Sequence, residues 1–149
     1  MAAYMTVEEA NTYMETYRLI TSAWDAASAT DHAKALAIAT RMIDQLAFDG
    51  EKNDADQEQQ FPRGSDTSVP TEVKEACAEC AYSLLDGVDI ELEYDNIRAN
   101  TMGFANVRSS QNSSMVPEHK VAGIPSFIAW LLLKPYLRTG GSVSLMRTS

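Results

Sequence analysis

Apolar residues recur every three to four positions in four stretches of the chain, the spacing of one face of an α-helix. The first stretch follows Thr6, which forms a capping box with Glu9, a reciprocal side-chain to backbone pairing that starts helices. We therefore predict a first helix that ends near Tyr17 and whose core-facing stripe is Ala10, Tyr13, Met14 and Tyr17. A second helix is predicted to be capped by Thr30 or Asp31. Its inward residues keep the helical spacing: Ala35, Ile38, Ala39, Met42, Ile43 and Leu46.

Prolines mark the start of the other two predicted helices. Pro70 is expected at the first position of a third helix that ends at Asp86 and Gly87. Its inward residues are Val73, Ala76, Cys77, Cys80, Ala81 and Leu84. Pro125 opens a fourth helix that Pro135 bends or stops. Its apolar positions are Phe127, Ile128, Leu131 and Leu132. Trp24 lies between the first two helices and is expected to pack beneath the first.

Residues 88–95 alternate between apolar and acidic side chains, which is typical of a strand with one exposed face, although an irregular extension of the third helix is an alternative. Residues 96–115 are rich in Asn, Ser, Gly and Arg, and a hairpin is predicted there that turns near Met102 and Gly103. The predicted fold is mainly α: a small four-helix bundle with a short β-hairpin or extended arm and a flexible C-terminal tail. Residues 1–137 form the domain, with 88–115 as an insertion, and 138–149 form a C-terminal extension.

A polar segment, GEKNDADQEQQFPRG, separates the second and third predicted helices. Asp54, Asp56 and Glu58 alternate as calcium ligands do, but an EF-hand counted from Asp54 needs Gly and Glu where Gln59 and Ser65 stand. A disordered linker does not require aromatic residues at both ends. We therefore predict an ordered surface loop whose anchor residues are Phe48, Phe61, Pro62 and Arg63.

Composition and charge restrict the possible functions. The chain has 149 residues, 45% of them hydrophobic, which suits one soluble domain, and its net charge of −9 disfavours nucleic-acid binding because that affinity comes from Lys and Arg. The only cations between Lys74 and Lys134 are Arg98, Arg108 and Lys120. The longest apolar run, Ile128 to Leu133, is too short to span a bilayer, and no secretion signal is recognised. We expect a soluble protein that is not secreted.

The two cysteines, Cys77 and Cys80, have the CxxC spacing, but they fall in the middle of a predicted helix rather than at its N-terminus, where a redox cysteine is activated. A zinc site would need two more ligands, and His32 and His119 are remote in sequence. We interpret the cysteines as packing residues and keep a redox pair as an alternative. No phosphate loop or nucleophile motif is present. The sequence thus predicts a protein that is not an enzyme and uses no cofactor or metal.

Five segments carry a resemblance to the head-tail adaptor (head completion) proteins of tailed phages. They are AYMTVEEANTYM, ALAIATRMIDQL, FDGEKNDADQEQQFPR, VPTEVKEACAECAYSLL and IPSFIAWLLLKPYL, and together they reach from about Tyr4 to Leu137. The chain departs from the usual pattern at Phe48, where Trp is common. Related sequences are often labelled as DnaT-like single-stranded DNA-binding domains, which supplies an alternative function.

The adaptor resemblance implies a homo-oligomeric ring, typically a dodecamer in that family, between a portal protein and a tail or nozzle protein in the virion. DNA would pass through its lumen without specific binding, and assembly would occur in the host cytoplasm. The predicted subunit interface consists of Asp54, Asp56, Gln57, Gln59, Ile90, Leu92 and Tyr94. The predicted portal-binding residues are Arg138, Val143, Leu145, Met146 and Arg147, with a frayed terminus as the alternative.

Overall fold

The structure, a computed structural model, describes residues 3–96 and 117–138, and this part of the chain is mainly α, as predicted. Two isolated antiparallel bridges, Phe48 with Leu137 and Lys52 with Arg63, are its only β pairings. The four-helix bundle stays a prediction. The helices are α1 (Val7–Tyr17), α2 (Ser22–Ala26), α3 (Ala29–Asp44), α4 (Thr71–Leu85), α5 (residues 90–96), α6 (Glu118–Val121) and α7 (Phe127–Leu133), with a 3-10 turn at Lys134–Tyr136.

Side-chain caps fix the starts of α1 and α3. The predicted capping box of α1 is present, with the Glu9 amide donating to Thr6 Oγ1 and the Thr6 amide donating to Glu9 Oε1. The prediction for α3 was wrong by two or three residues, because Ser28 caps it and accepts from the Asp31 amide at 3.1 Å. Serine is as good an N-terminal cap as Thr30 or Asp31, so the sequence was compatible with more than one starting residue for this helix.

Helix α4 is the centre of the fold, since α1, α2, α3 and α7 all contact it. Most of its buried side chains are small, which lets the surrounding helices approach closely. Its buried residues are Val73, Ala76, Cys77, Ala78, Glu79, Cys80, Ala81 and Tyr82. The helix begins one residue after Pro70 and ends before Gly87, whose φ of 94° suits glycine at a helix end.

The strand predicted for residues 88–95 is wrong, because residues 90–96 are helical. Asp89 starts this helix: its Oδ1 accepts from the Leu92 amide at 3.0 Å and its carbonyl accepts from the Glu93 amide at 2.9 Å. Ile90 and Leu92 lie in different environments, half-buried and exposed, as the helical period requires. An alternating pattern this short fits both structures, and the Asp89 cap selects the helix. The predicted hairpin falls largely outside the described residues.

The prediction for the inward face of the last helix is wrong for three of its four residues, and the fourth, Leu132, packs partly buried against the core. Phe127, Ile128 and Leu131 are more than half exposed, whereas Ala129, Trp130 and Leu133 are buried. Every residue of α7 is apolar, so the pattern could not select an inward face. Ile38 of α3, also predicted inward, is exposed. None of the helices described here is both long and apolar enough to cross a bilayer.

Candidate functional site

The loop between α3 and α4 returns to the helices through Phe61, which is 3% exposed. Its ring meets three other aromatic rings at steep angles: Phe48 at 4.7 Å, Tyr136 at 5.8 Å and Tyr4 at 6.1 Å between centroids. Pairs of this geometry stabilise beyond the apolar area that they bury. The cluster therefore joins the N-terminal segment, the loop and the 3-10 turn at one end of the domain.

Arg63 holds the loop from inside, with 8% of its surface exposed. Its Nε donates to the Asp49 carbonyl at 3.0 Å, and its Nη2 donates to the carbonyls of Phe48 and Gly50. Its Nη1 donates to Gln60 Oε1 at 2.7 Å and more weakly to the Gln60 carbonyl. These contacts engage all five guanidinium N–H donors. Arg63 therefore has no donor left for a phosphate.

The polar part of the loop is ordered by its own hydrogen bonds. Gln57 Nε2 donates to the carbonyls of Gln59 and Pro62, and Gln57 Oε1 accepts from the Asp54 amide at 3.1 Å. Asp54 Oδ1 accepts from the Asp56 amide at 2.9 Å. Gln57 is half-buried, whereas Asp54 and Asp56 are exposed. The amide side chain of Gln57 thus acts within the loop and the two carboxylates face outward.

A buried tyrosine and carboxylate connect this loop to the helices. The Tyr4 hydroxyl donates to Asp44 Oδ1 in a short hydrogen bond, and the same oxygen accepts from the Gln60 amide at 3.2 Å. The Phe61 amide donates to the Tyr4 hydroxyl at 3.3 Å. Burial is the main cause that raises the pKa of Asp44 above its usual value. Asp44 therefore fixes the backbone at Gln60, directly before Phe61, and this arrangement requires a carboxyl group to be buried.

The structure brings some of the sequence-predicted site residues together and separates others. Phe48, Phe61 and Arg63 form the cluster just described, with Pro62 half-buried beside them after a cis peptide bond. The seven residues predicted for a subunit interface fall on two separate elements, the loop (Asp54, Asp56, Gln57, Gln59) and α5 (Ile90, Leu92, Tyr94).

Among the predicted portal-binding residues, only Arg138 is described. It is exposed, and its amide donates to the Ala47 carbonyl at 3.0 Å. Val143, Leu145, Met146 and Arg147 lie outside the described residues.

A groove of about 400 Å³ runs between α1 and α4, and we call it the tyrosine groove. Tyr13 and Tyr17 form one wall, with ring centroids 5.3 Å apart, and Tyr17 is 67% exposed. The groove is lined by Met5, Glu9, Thr12, Tyr13, Tyr17, Thr71, Lys74 and Glu75. It combines an exposed aromatic ring with a lysine, the residue types that bind nucleotides by stacking and charge.

A partly buried ion pair between Arg18 and Glu79 holds Tyr13, one of the residues that line the tyrosine groove. Glu79, 4% exposed, accepts from Arg18 Nη1 at 2.5 Å and from the Tyr13 hydroxyl at 2.6 Å. The Arg18 guanidinium also lies 3.7 Å from the centre of the Tyr82 ring. Burial, followed by the contact with Glu79, raises the pKa of Tyr13. Tyr13 is therefore held in place as a neutral donor.

Carboxylates surround the one lysine of the tyrosine groove. Lys74 Nζ lies 3.1 Å from Glu9 Oε2, and both side chains are substantially exposed. The hydrogen bond from Thr6, and then the one from Lys74, lowers the pKa of Glu9. Burial, together with the charges of Glu72 and Glu79, raises the pKa of Glu75. Negative charge at Glu9 and Glu75 therefore opposes the approach of an anion.

Both cysteines are buried in α4. Burial raises the pKa of Cys77 to about 11 and that of Cys80 well above its usual value. A thiol of this kind is a poor nucleophile and a poor metal ligand, because both roles require the thiolate. In the described part of the chain, no three His, Cys, Asp or Glu residues are grouped as metal ligands. The geometry favours packing over redox chemistry for the cysteines.

Sequence analysis did not identify the tyrosine groove. Tyr13 and Tyr17 stand four residues apart on α1, which places them on one face, but they were assigned to the core stripe. Arg18, which directly follows the helix, was the sequence signal that polar groups lie next to Tyr13 and Tyr17. Its partner, Glu79, is separated by 61 residues and could not be inferred from periodicity.

Comparison with known proteins gives one family. A family model described as "Putative DnaT-like ssDNA binding protein" matches residues 1–148. No curated protein and no solved structure matches the chain.

Proposed function

The chain belongs to the family of DnaT-like ssDNA binding proteins, and from this membership we propose that it binds single-stranded DNA in the tyrosine groove. The structural observation that carries the proposal is the exposed Tyr17 ring, which stands beside Tyr13 with Lys74 across the groove. The family match supports this function better than it supports a head-tail adaptor.

The groove offers two kinds of contact to a single strand. A base stacks on the exposed face of Tyr17, and stacking on an aromatic side chain contributes about 1–3 kcal/mol per base without sequence preference. Lys74 Nζ exchanges Glu9 for a backbone phosphate, which is possible because this ion pair is exposed and therefore weak. Tyr13 keeps its hydroxyl on Glu79 and supports the Tyr17 ring.

Charge limits the strength of this binding. The chain carries a net charge of −9, and the guanidinium groups of Arg18 and Arg63 are occupied by partners within the protein. Few phosphates can be neutralised, so the affinity should be modest and should vary only weakly with salt concentration. Stacking would supply most of the binding free energy.

Fluorescence anisotropy with a labelled oligothymidine at low salt tests this proposal. Tyr17→Ala should weaken binding by roughly 5- to 150-fold, which corresponds to the loss of one stacked base. Glu75→Gln should strengthen binding, because it removes a carboxylate from the groove. Phe127→Ala, an exposed aromatic residue on α7, is the matched control and should leave the affinity unchanged.

Two results would contradict the proposal. The first is an absence of binding by the wild-type protein at low salt, and the second is equal weakening by Tyr17→Ala and Phe127→Ala. Tyr17→Ala should lower the affinity for the oligonucleotide and Glu75→Gln should raise it. These opposite effects distinguish binding in the groove from non-specific attraction to the protein and from a general loss of folding.

A second candidate is the head-tail adaptor, in which copies of the chain form a ring between a portal protein and a tail component. The net negative charge favours it, because an acidic channel wall repels DNA and so allows it to pass without binding. One of the adaptor-like segments, FDGEKNDADQEQQFPR, is the loop that Arg63 orders. Neither candidate requires catalysis. Binding of the purified protein to portal rings, together with no affinity for single-stranded DNA, would select this second function.

A further inference from the structure

Two of the polar side chains that line the tyrosine groove are engaged within the protein. The Glu9 carboxylate uses both of its oxygens, because Oε1 accepts from the Thr6 amide at 3.0 Å and Oε2 accepts from Lys74 Nζ at 3.1 Å. The Tyr13 hydroxyl donates to Glu79 Oε2 at 2.6 Å. When Lys74 moves to a phosphate, water hydrates the oxygen that it leaves, because Glu9 is exposed. Neither side chain is therefore reserved for the edge of a bound base.

Glu75 differs from these side chains because its carboxylate is unpaired. Among the described residues, none donates a hydrogen bond to it and no cation pairs with it. Glu75 lines the groove and is half-buried. Burial is the main cause that raises its pKa, followed by the charges of Glu72 and Glu79. A carboxylate that has lost water without gaining a donor is stabilised by an N–H group that a ligand supplies.

The position of Glu75 on α4 places it beside the two tyrosines. It stands four residues before Glu79, which holds the Tyr13 hydroxyl, and residues at this spacing are neighbours on a helix surface. The charge of Glu75 also acts on Tyr13, where it adds to burial and to the contact with Glu79 in raising the pKa. A base that stacks on Tyr17 therefore presents its edge to the part of the groove that holds this carboxylate.

The bases differ in what their edges offer to a carboxylate. Cytosine carries an amino group at C4, and a glutamate or aspartate is the side chain that accepts from it. Thymine and uracil carry a carbonyl oxygen at the same position, which repels a carboxylate, and their one ring N–H lies between two carbonyls. Adenine and guanine also carry amino groups. An unpaired carboxylate at the base edge thus distinguishes amino bases from thymine and uracil.

We propose that Glu75 is a specificity-determining residue of the tyrosine groove, which selects bases that carry an amino group over thymine and uracil. This inference rests on the proposed function, since it requires a base stacked on Tyr17. It adds a preference that the other contacts lack, because stacking tolerates every base and a phosphate contact from Lys74 carries no sequence information. Among the pyrimidines, the preferred base is cytosine.

Fluorescence anisotropy at low salt and neutral pH tests the preference with two labelled strands of equal length, oligodeoxycytidine and oligodeoxyuridine. Neither base has the methyl group of thymine, so the strands differ at the base edge. The wild-type protein should bind oligodeoxycytidine about 5-fold more tightly or better, the lower end of the discrimination that a good base contact gives. In Glu75→Gln the ratio of the two dissociation constants should fall close to one, because an amide can accept from cytosine or donate to uracil.

The ratio is the informative quantity, since a change in net charge acts equally on both strands. Glu15→Gln removes the same charge from an exposed position of α1 that does not line the groove, and it should leave the ratio unchanged. Thermal melts establish that both variants fold.

Three results would overturn the inference, and they separate it from the proposed function. Equal binding of the two strands by the wild type, with binding that still depends on Tyr17, would overturn the preference and leave the proposed function standing. A preference for oligodeoxycytidine that persists in Glu75→Gln would show that Glu75 does not cause it. An absence of binding to either strand would overturn both the preference and the proposed function.

Discussion

Removal of the Arg63 guanidinium is the most direct perturbation of the anchored loop. In Arg63→Met the apolar stem of the side chain is kept, but the carbonyls of Phe48, Asp49 and Gly50 lose their donor. A buried polar group without a partner costs about 1–3 kcal/mol. Asp49 and Gly50 are exposed and can be rehydrated in part, whereas Phe48 is buried. We expect a loss of about 3 kcal/mol in the free energy of unfolding.

For a domain of this size, such a loss lowers the melting temperature by roughly 6–12 °C. Arg63→Lys should recover less than half of it, because an ammonium group cannot reach carbonyls that are arranged around a planar guanidinium. Differential scanning calorimetry measures the effect. Hydrogen exchange should also accelerate at the Gly64 amide, which donates to the Glu51 carbonyl at 2.9 Å across the loop.

The matched control is Arg41→Met on the exposed side of α3, which should change the free energy of unfolding by less than about 0.5 kcal/mol. If Arg63→Met melted as the Arg41→Met control does, the loop would not depend on the guanidinium. If it melted lower but exchange at Gly64 stayed slow, the loss would come from elsewhere in the core.

Two further predictions concern buried ionisable groups. Burial raises the pKa of Asp44 above 3.8, so ionisation of this carboxyl group destabilises the folded protein. The protonated carboxyl group contributes stability at low pH, and this contribution is lost as the pH rises through the raised pKa. Asp44→Asn, which keeps an acceptor for the Tyr4 hydroxyl, should therefore gain stability relative to the wild type as the pH rises above about 4 in urea titrations, and a difference that does not change with pH would count against it. Cys77 and Cys80 should react with a thiol reagent far more slowly in the folded protein than in urea, and rapid labelling of the folded protein would show that α4 opens.

Local signals in the sequence located most of the helices and the buried face of α4, but not the buried face of α7. The Thr6 capping box located α1, and Pro70 located the start of α4 to within one residue, because both act through the adjacent backbone. The uniform apolar run of α7 carries no information about its inward face. The alternation at residues 88–95 was too short to exclude a helix, and the cap of that helix, Asp89, was not recognised.

The candidate sites depend on contacts between residues that are distant in the chain. Phe61 and Arg63 could be named as anchors because a polar loop that ends in such residues needs attachment to the core. The pairing of Tyr13 with Glu79 joins residues 66 positions apart, and that of Tyr4 with Asp44 joins residues 40 apart. Neither pairing leaves a periodic signal, so one sequence alone could not reveal the groove or the buried carboxyl.

The central position of α4 has a consequence for how this protein can diverge. Because helices contact α4 on several sides, a larger side chain at Ala76 or Ala81 has no free volume to enter, and a smaller one at Val73 leaves a cavity. Lineages that descend from this chain can exchange the surfaces of α1 or α7 one residue at a time. At the buried positions of α4 they can change only by paired substitutions with a neighbouring helix, so new functions arise on exposed surfaces and not in this packed interior.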